Sequence, residues 1–387
     1  MRHRALFPGL ACSCVLFACS GLGSRPNIVD SGSPIDTPAA DTAPAVSPFV
    51  PQAVEAVINS MVAAVTAANL SSSSKPPIAV LLKDVAGYFA PIVTGANRMG
   101  MTLACPLVVQ SPFVAGATNI LSEEAATWQN QYIQSYLDGG VYRGMGLSPQ
   151  QTDADSVAYL NKFVEQRGPV VTIDSDSPTS ERSYFIATAN YQAGYTAGAM
   201  LAKVLNPGDA IVVFGTTVTA WTSGMERAQG AEDAATAGGL LLTPRISPIW
   251  TDATDLAALV NVLADPQLNI KGMLCIYSDA YLCAQAAEAV VGAPGIIKIV
   301  GFDMTVGTKT YFDKGYFTGI AVQRQYYMGE LGVLVPYAID VLGATVTKQL
   351  LQPLLINDTF IDTGIDIITT ANYADYMTFL STLGINV

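Results

Sequence analysis

From Ile78 onward, short uncharged apolar runs alternate with stretches whose apolar residues recur at helical spacing. A continuous apolar run suits a strand covered on both faces, and helices inserted between strands supply that cover. Ile78-Ala79-Val80-Leu81-Leu82 reads as a strand and Phe89 to Arg98 as the start of a helix. Thr102 to Val109 reads as the next strand, followed by an amphipathic helix near Glu123 to Leu137 and a weak strand from Tyr142 to Leu147. A helix over Val157 to Gln166 leads into Val170-Val171-Thr172-Ile173-Asp174-Ser175-Asp176-Ser177-Pro178, an apolar strand that ends in two acids and a breaker. The alternation predicts a mainly parallel, doubly wound α/β sheet with right-handed crossovers.

A second round follows. Tyr184-Phe185-Ile186-Ala187 is short and extended, and Tyr191 to Val204 is a helix whose Ala and Gly permit close packing. Ala210 to Gly215 is a buried strand, Gly224 to Ala237 a helix, Leu240 to Pro248 extended and Ala253 to Leu263 helical. Gly272 to Tyr277, Ala280 to Val291 and Ile296 to Phe302 give strand, helix and strand again. Two similar halves suggest two lobes, each a small doubly wound domain. In such sheets ligands bind outside the carboxyl ends of the strands, so polar residues there are the candidates.

Composition removes several functions. The net charge of -12 argues against nucleic acid and against anionic membrane surfaces. The single histidine is His3, inside a segment that reads as a removable leader. Without it a Ser-His-Asp triad and a His-bound metal are excluded, and no cofactor is expected. Neither a phosphate-binding loop nor a G-x-S-x-G or G-x-G-x-x-G motif occurs, which leaves carboxylate or Cys chemistry to any enzyme. The chain is expected not to be one.

The N-terminus predicts export. Met1-Arg2-His3-Arg4 is basic and Ala5 to Ala18 mostly apolar, too short to span a bilayer. Leu16-Phe17-Ala18-Cys19 resembles the lipobox of bacterial lipoproteins, with a bulkier Phe17 than usual, and would make Cys19 the lipidated residue; a plain secretory signal is the alternative. The signal then covers 1–19. Residues 20–50, rich in Pro, Ser, Ala and Asp, read as a disordered tether. A docking helix and linker occupy 51–76, with Val54, Val57, Ile58, Met61, Val62 and Val65 at helical spacing. Of the cysteines outside the leader, Cys275 and Cys283 either bridge a strand end to the next helix or stay free and buried, and Cys105 has no obvious partner.

The stretches Val171 to Asp176, Ala189-Asn190-Tyr191-Gln192-Ala193-Gly194, Ile299-Val300-Gly301-Phe302-Asp303 and Ala321-Val322-Gln323 together resemble the type I periplasmic binding proteins, the ribose- and galactose-binding-like sugar receptors of ABC transporters. The resemblance runs from about Pro77 to the C-terminus. It implies two lobes joined by hinge strands, with lobe 1 over 77–178 and about 324–351, and lobe 2 over 179–323 and about 352–387. It also implies a sugar held by polar side chains at strand ends. Position by position, Asp174 matches the acid after the strand, with Asp176 beside it, and Asn190 the asparagine of the second lobe. Arg227 matches the arginine of the next helix, Asp303 the Gly-Phe-Asp acid, Gln323 the hinge glutamine, and Asp279 an Asn-Asp pair whose register is uncertain by one. Tyr88 and Phe89 take the place of stacking aromatics, Ala86 has lost an amide, and Trp221 and Trp250 are candidates for apolar cleft surface or lobe core.

The resulting expectation is a tethered, monomeric receptor that closes on a small sugar or polyol and presents it to an ABC permease, touching membrane only through its lipid. A larger, apolar ligand such as a lipid or sterol is the alternative, and a sensor of the same fold for a signalling protein another. As an enzyme, the chain would use Asp174 and Asp176 as an acid–base pair, since neighbours at i and i+2 on an extended segment point the same way.

Overall fold

The strands sort into two six-stranded sheets in the computed structural model, which describes residues 47–111, 123–218, 222–249 and 251–387. The first part of the chain runs α1 (Gln52–Ala67), β1 (Ile78–Leu81), α2 (Ala90–Leu103), β2 (Leu107–Gln110), α3 (Glu123–Gly139), β3 (Gly144–Leu147), α4 (Ala154–Gln166), β4 (Val170–Ile173) and β5 (Tyr184–Ala187). Next come α5 (Asn190–Ala202), β6 (Ala210–Phe214), α6 (Thr222–Ala237), β7 (Leu241–Leu242), α7 (Asp252–Ala264) and β8 (Ile270–Cys275). They lead into α8 (Tyr281–Val291), β9 (Lys298–Phe302), α9 (Val306–Asp313) and β10 (Phe317–Gln323). Then follow α10 (Gln325–Leu342), α11 (Ala344–Leu351), β11 (Phe360–Asp362), β12 (Ile365–Ile368) and α12 (Tyr373–Thr382).

The first sheet has the order β11-β5-β4-β3-β1-β2 and the second β12-β10-β9-β8-β6-β7. Strand for strand the two orders correspond, so the chain repeats one doubly wound unit. All pairings are parallel except β10 with β12. Strands β1, β3 and β4 are buried along their whole length, as their unbroken apolar runs require. The anticipated α/β class and its two sheets are therefore present.

Where the chain changes sheets differs from the expectation. Tyr184–Ala187 pairs with β4 and Phe360–Asp362 pairs with β5, so both lie on the first sheet. The switch falls at Thr188-Ala189 rather than at Ser177-Pro178, because the Ser-Pro break only turns the chain between two neighbouring strands. Three segments cross between sheets, after β5, after β10 and between β11 and β12. They are stitched together: Ala189 N and Gly364 N both donate to Asp362 Oδ1 at 2.9 Å, and Arg324 Nη2 pairs with Asp366 Oδ1 at 2.7 Å. Gly364 has φ +75, where a side chain is strained, and a Cβ there would meet the Arg324 guanidinium.

Two further elements depart from the periodicity. Thr102 and Leu103 belong to α2, where Thr102 Oγ1 donates back to Arg98 O at 3.0 Å, and the helix ends on left-handed Ala104. The extended stretch over 240–248 contributes only Leu241–Leu242 as strand, with both side chains exposed at the sheet edge. The predicted docking helix is α1; Val54, Val57, Ile58, Met61 and Val65 face inward from it, and it packs on α10 and α11. No helix among the described residues is long and apolar enough to cross a membrane.

Candidate functional site

Asp174 follows the last residue of β4, and Asp303 follows the last residue of β9, the equivalent strand of the other sheet. Each has a left-handed backbone, φ +66 and φ +61. Each donates its N–H at 2.9 Å to the carbonyl of the neighbouring strand, Ile186 O and Ala321 O respectively. That bond holds the residue at the sheet's carboxyl edge, while positive φ, which Asp tolerates better than most residues, turns its side chain out of the strand register. The two sheets thus present one carboxyl each from matched positions.

On the first sheet's side, Asp174 Oδ1 accepts from Tyr88 OH at 2.6 Å and Asp174 Oδ2 from Ser175 Oγ at 3.3 Å. Ser175 Oγ in turn accepts from Lys83 Nζ at 2.6 Å. Burial pushes the Lys83 ammonium below the usual lysine range, and the Asp174 charge opposes that shift. Burial also raises the Tyr88 phenol well above its ordinary value, reinforced by the charges of Asp174 and Asp303 and opposed by Arg227. Tyr88, in the turn after β1, therefore lies within the field of Asp303 and Arg227 of the second half, which brings the two sets of strand ends near one another.

On the second side, Arg227 is 5 % exposed, and its cation is held by three bonds. Nε and Nη2 donate to Asn190 Oδ1 at 3.0 and 2.6 Å, and Nη1 donates to Ile276 O at 2.9 Å. Its guanidinium carbon lies 4.7 Å from the centre of the Phe302 ring. A buried cation needs such partners, because an unpaired one is strongly destabilising. Five N–H donors less these three leave two without a partner among the described residues. The position of Arg227 is fixed by helix packing: α5 lies so close to α6 that a Cβ on Gly194 would stand 1.8 Å from Arg227 O.

Asp303 accepts from Gln323 N at 3.1 Å, Gln323 Nε2 at 3.0 Å and Gln325 Nε2 at 3.3 Å. Burial pushes its carboxyl up to about 6, opposed by Arg227 and the Gln323 bonds and augmented by Asp174. Asp279 lies in the loop after β8. Burial, with the charges of Asp255 and Asp252 adding to it, raises its carboxyl to about 7. Its Oδ1 is buried and has no partner among the described residues.

Asp176 does not join this group. Arg182 grips it through both carboxylate oxygens, and Thr172 Oγ1 and Ser177 N also donate to Oδ1, each at 2.8 Å. The i, i+2 reasoning that set it beside Asp174 fails because Asp174 is left-handed rather than extended. Phe89 is 5 % exposed within the large apolar cluster, its ring edge-on to Tyr88 at 5.1 Å. Trp221, Trp250 and Cys19 lie outside the described residues. Cys275 and Cys283 form a disulfide that spans the loop bearing Asp279, and Cys105 is free.

Three side chains were missed by sequence reasoning. Lys83 is one; Ser148 and Gln150, after β3, are the others. Ser148 Oγ and Gln150 Oε1 are buried without a partner among the described residues, while Gln150 Nε2 donates to Lys83 O at 3.2 Å. Their position just beyond an apolar strand was the available signal, the same rule that picked out Asp174. The assembled site offers carboxylates, cationic donors and unsatisfied neutral oxygens around two facing strand edges. Such a set suits a compact ligand dense in hydroxyl groups, since each hydroxyl both donates and accepts.

Residues 78–340 match a family described as periplasmic binding protein domain. A D-ribose/D-allose-binding protein of Pseudomonas aeruginosa is 23 % identical over 266 residues, which span 67 % of this chain and 80 % of that protein. A solute binding protein of an ABC transporter from Burkholderia graminis, solved with D-arabinose, has a TM-score of 0.64 at 22 % identity, covering 78 % of this chain and 98 % of its own. One from Agrobacterium vitis with bound D-fucose has a TM-score of 0.60 at 26 % identity, covering 76 % of this chain and 96 % of its own.

Proposed function

We propose that this chain, which belongs to the periplasmic binding protein domain family, is an extracytoplasmic receptor that closes on a small sugar or polyol between its two sheets. The observation that carries the reading is the facing pair Asp174 and Asp303, each on a matched strand end, with Tyr88, Asn190, Arg227 and Gln323 around them. Charged acceptors and donors of this kind bond hydroxyls more strongly than neutral ones. An apolar ligand would leave the buried oxygens of Ser148, Gln150 and Asp279, which have no partner among the described residues, unsatisfied at about 1–3 kcal/mol each, which disfavours a lipid or sterol. The relatives named above bind ribose, allose, arabinose or fucose by their descriptions, and this supports the same substrate class here.

The receptor role also accounts for the chemistry. Arg182 engages Asp176 through both carboxylate oxygens, which supports a structural role for that acid over an acid–base pair with Asp174. Delivery to an ABC permease by a monomeric, Cys19-anchored receptor follows from the same reading, with no cofactor. Thermal unfolding of residues 47–387 with and without D-ribose, D-allose, D-arabinose and D-fucose tests it. Binding to the native state raises the midpoint by mass action, so at least one sugar should shift it. No shift with any sugar, and a shift with a sterol instead, overturns the assignment. For the anchor, Cys19→Ser should move the expressed protein from the membrane to the soluble fraction; a wild-type protein already soluble would refute lipidation.

A further inference from the structure

The segment 47–67 lies ahead of the region that matches the family, yet it touches both halves of the molecule. α1 packs on α10, which itself covers β1, β3, β4 and β5 of the first sheet. Tyr327 OH of α10 donates to Glu55 Oε1 of α1 at 3.0 Å. Just before α1, Phe49 is 5 % exposed. Its ring lies edge-on to Tyr376 at 5.0 Å and tilted against Phe379 at 6.1 Å, both on α12.

α12 is attached to the second sheet. It directly follows β12, Tyr373 OH donates to Asp313 Oδ1 at 2.7 Å, and the Tyr373 ring lies 4.6 Å from Phe312, both residues of α9. Where α12 approaches α10 and α2, a cavity of about 30 Å³ is lined by Pro91, Tyr326 and Tyr327 from the first half and Met304, Tyr376 and Phe379 from the second. The two halves are incompletely packed there. Phe49 fills the neighbouring space and joins them through α1.

We propose that Phe49 and α1 form a clasp across the hinge, which holds the two lobes near the arrangement seen here and limits how far the cleft opens. The three crossing segments permit rotation about themselves, as hinge closure in such two-lobed architectures requires. Rotation that carries α12 away from α10 must break the Phe49 ring contacts, whereas it leaves the rest of α1 seated on α10. The clasp therefore biases the open–closed equilibrium without touching the ligand.

Small-angle scattering of the unliganded protein tests the clasp directly. Phe49→Ala should enlarge the radius of gyration, whereas Phe49→Leu, which keeps an apolar contact, should restore the wild-type value. Val65→Ala, a buried residue near the other end of α1, should lower the unfolding midpoint and leave the radius unchanged. Equal radii for Phe49→Ala and wild type, or equal expansion by Val65→Ala, overturn the proposal, because Phe49 is then only a core residue. A second readout rests on the proposed sugar site: Phe49→Ala should raise the dissociation constant for D-ribose about three- to tenfold by depleting the closed form. If wild type binds no sugar, the receptor reading fails while the scattering result still decides the clasp.

Discussion

Asp174 shows what a single position does here. Its φ of +66 aims a carboxylate away from the strand, where Tyr88 and Ser175 orient it. Asn tolerates the same backbone conformation, whereas Ala is strained there, so Asp174→Asn isolates the charge. That substitution should leave the thermal midpoint of the unliganded protein unchanged and weaken sugar binding by about ten- to a hundredfold, the worth of a charged hydrogen bond. Calorimetric titration giving an affinity within twofold of wild type would place the ligand elsewhere. Asp174 was legible as an acid ending an apolar run, whereas Asn190, Arg227, Asp303 and Gln323 were singled out only through the family resemblance: Arg227 lies within α6 and Gln323 ends β10. Ser148 and Lys83 obey the same rule but have no distinguishing neighbour in sequence; what marks them is an unpaired or desolvated atom, a property of surrounding chains.

At the scale of elements, the β8–α8 unit joins chemistry to packing. The Cys275–Cys283 disulfide closes over Tyr277, Ser278 and Asp279, with both cysteines fully buried. Cross-linking a loop with a sequence separation of 8 removes about 2–3 kcal/mol of freedom from the unfolded chain on the entropic account. Replacing both cysteines by Ala should therefore lower unfolding stability by about that amount; a urea midpoint equal to wild type would mean that no such bridge exists in the folded protein. Helical spacing predicted α1, α3, α4 and α6 closely, since an amphipathic face is a local property. The end of α2 and the thin β7 were not readable, because a β-branched Thr102 fits either state and an edge strand needs little apolar cover.

For the whole molecule, the buried acids Asp279, Asp303 and Glu330 lie well above their ordinary range, at about 7, about 6 and about 7. Burial is the first cause in each case; Glu55 adds to it at Glu330, and like charges add at the other two. Between about pH 4 and 7 the folded state then holds more protons than the unfolded chain, so stability falls as pH rises through that window. The lowered acids Asp153, Asp313 and Asp358 titrate below it and do not reverse the sign. Urea unfolding of the unliganded protein should give a higher midpoint at pH 5 than at pH 8, and Asp279→Asn should shrink the difference. A midpoint that rises from pH 5 to pH 8 contradicts this arrangement of buried acids.

The sequence by itself determined the α/β alternation and the doubling of one unit, and it put Asp174 at a strand end, because hydrophobic periodicity and strand termini are written in short stretches. Only the tertiary structure decided that Tyr184–Ala187 and Phe360–Asp362 belong to the first sheet, that Asp176 is consumed by Arg182, and that Phe49 reaches α12. Each of those outcomes is a choice among partners distant in the chain or compatible with several local conformations. Strand pairing, ion pairing and ring packing are settled by which groups the fold brings within reach, and no local pattern encodes that distance.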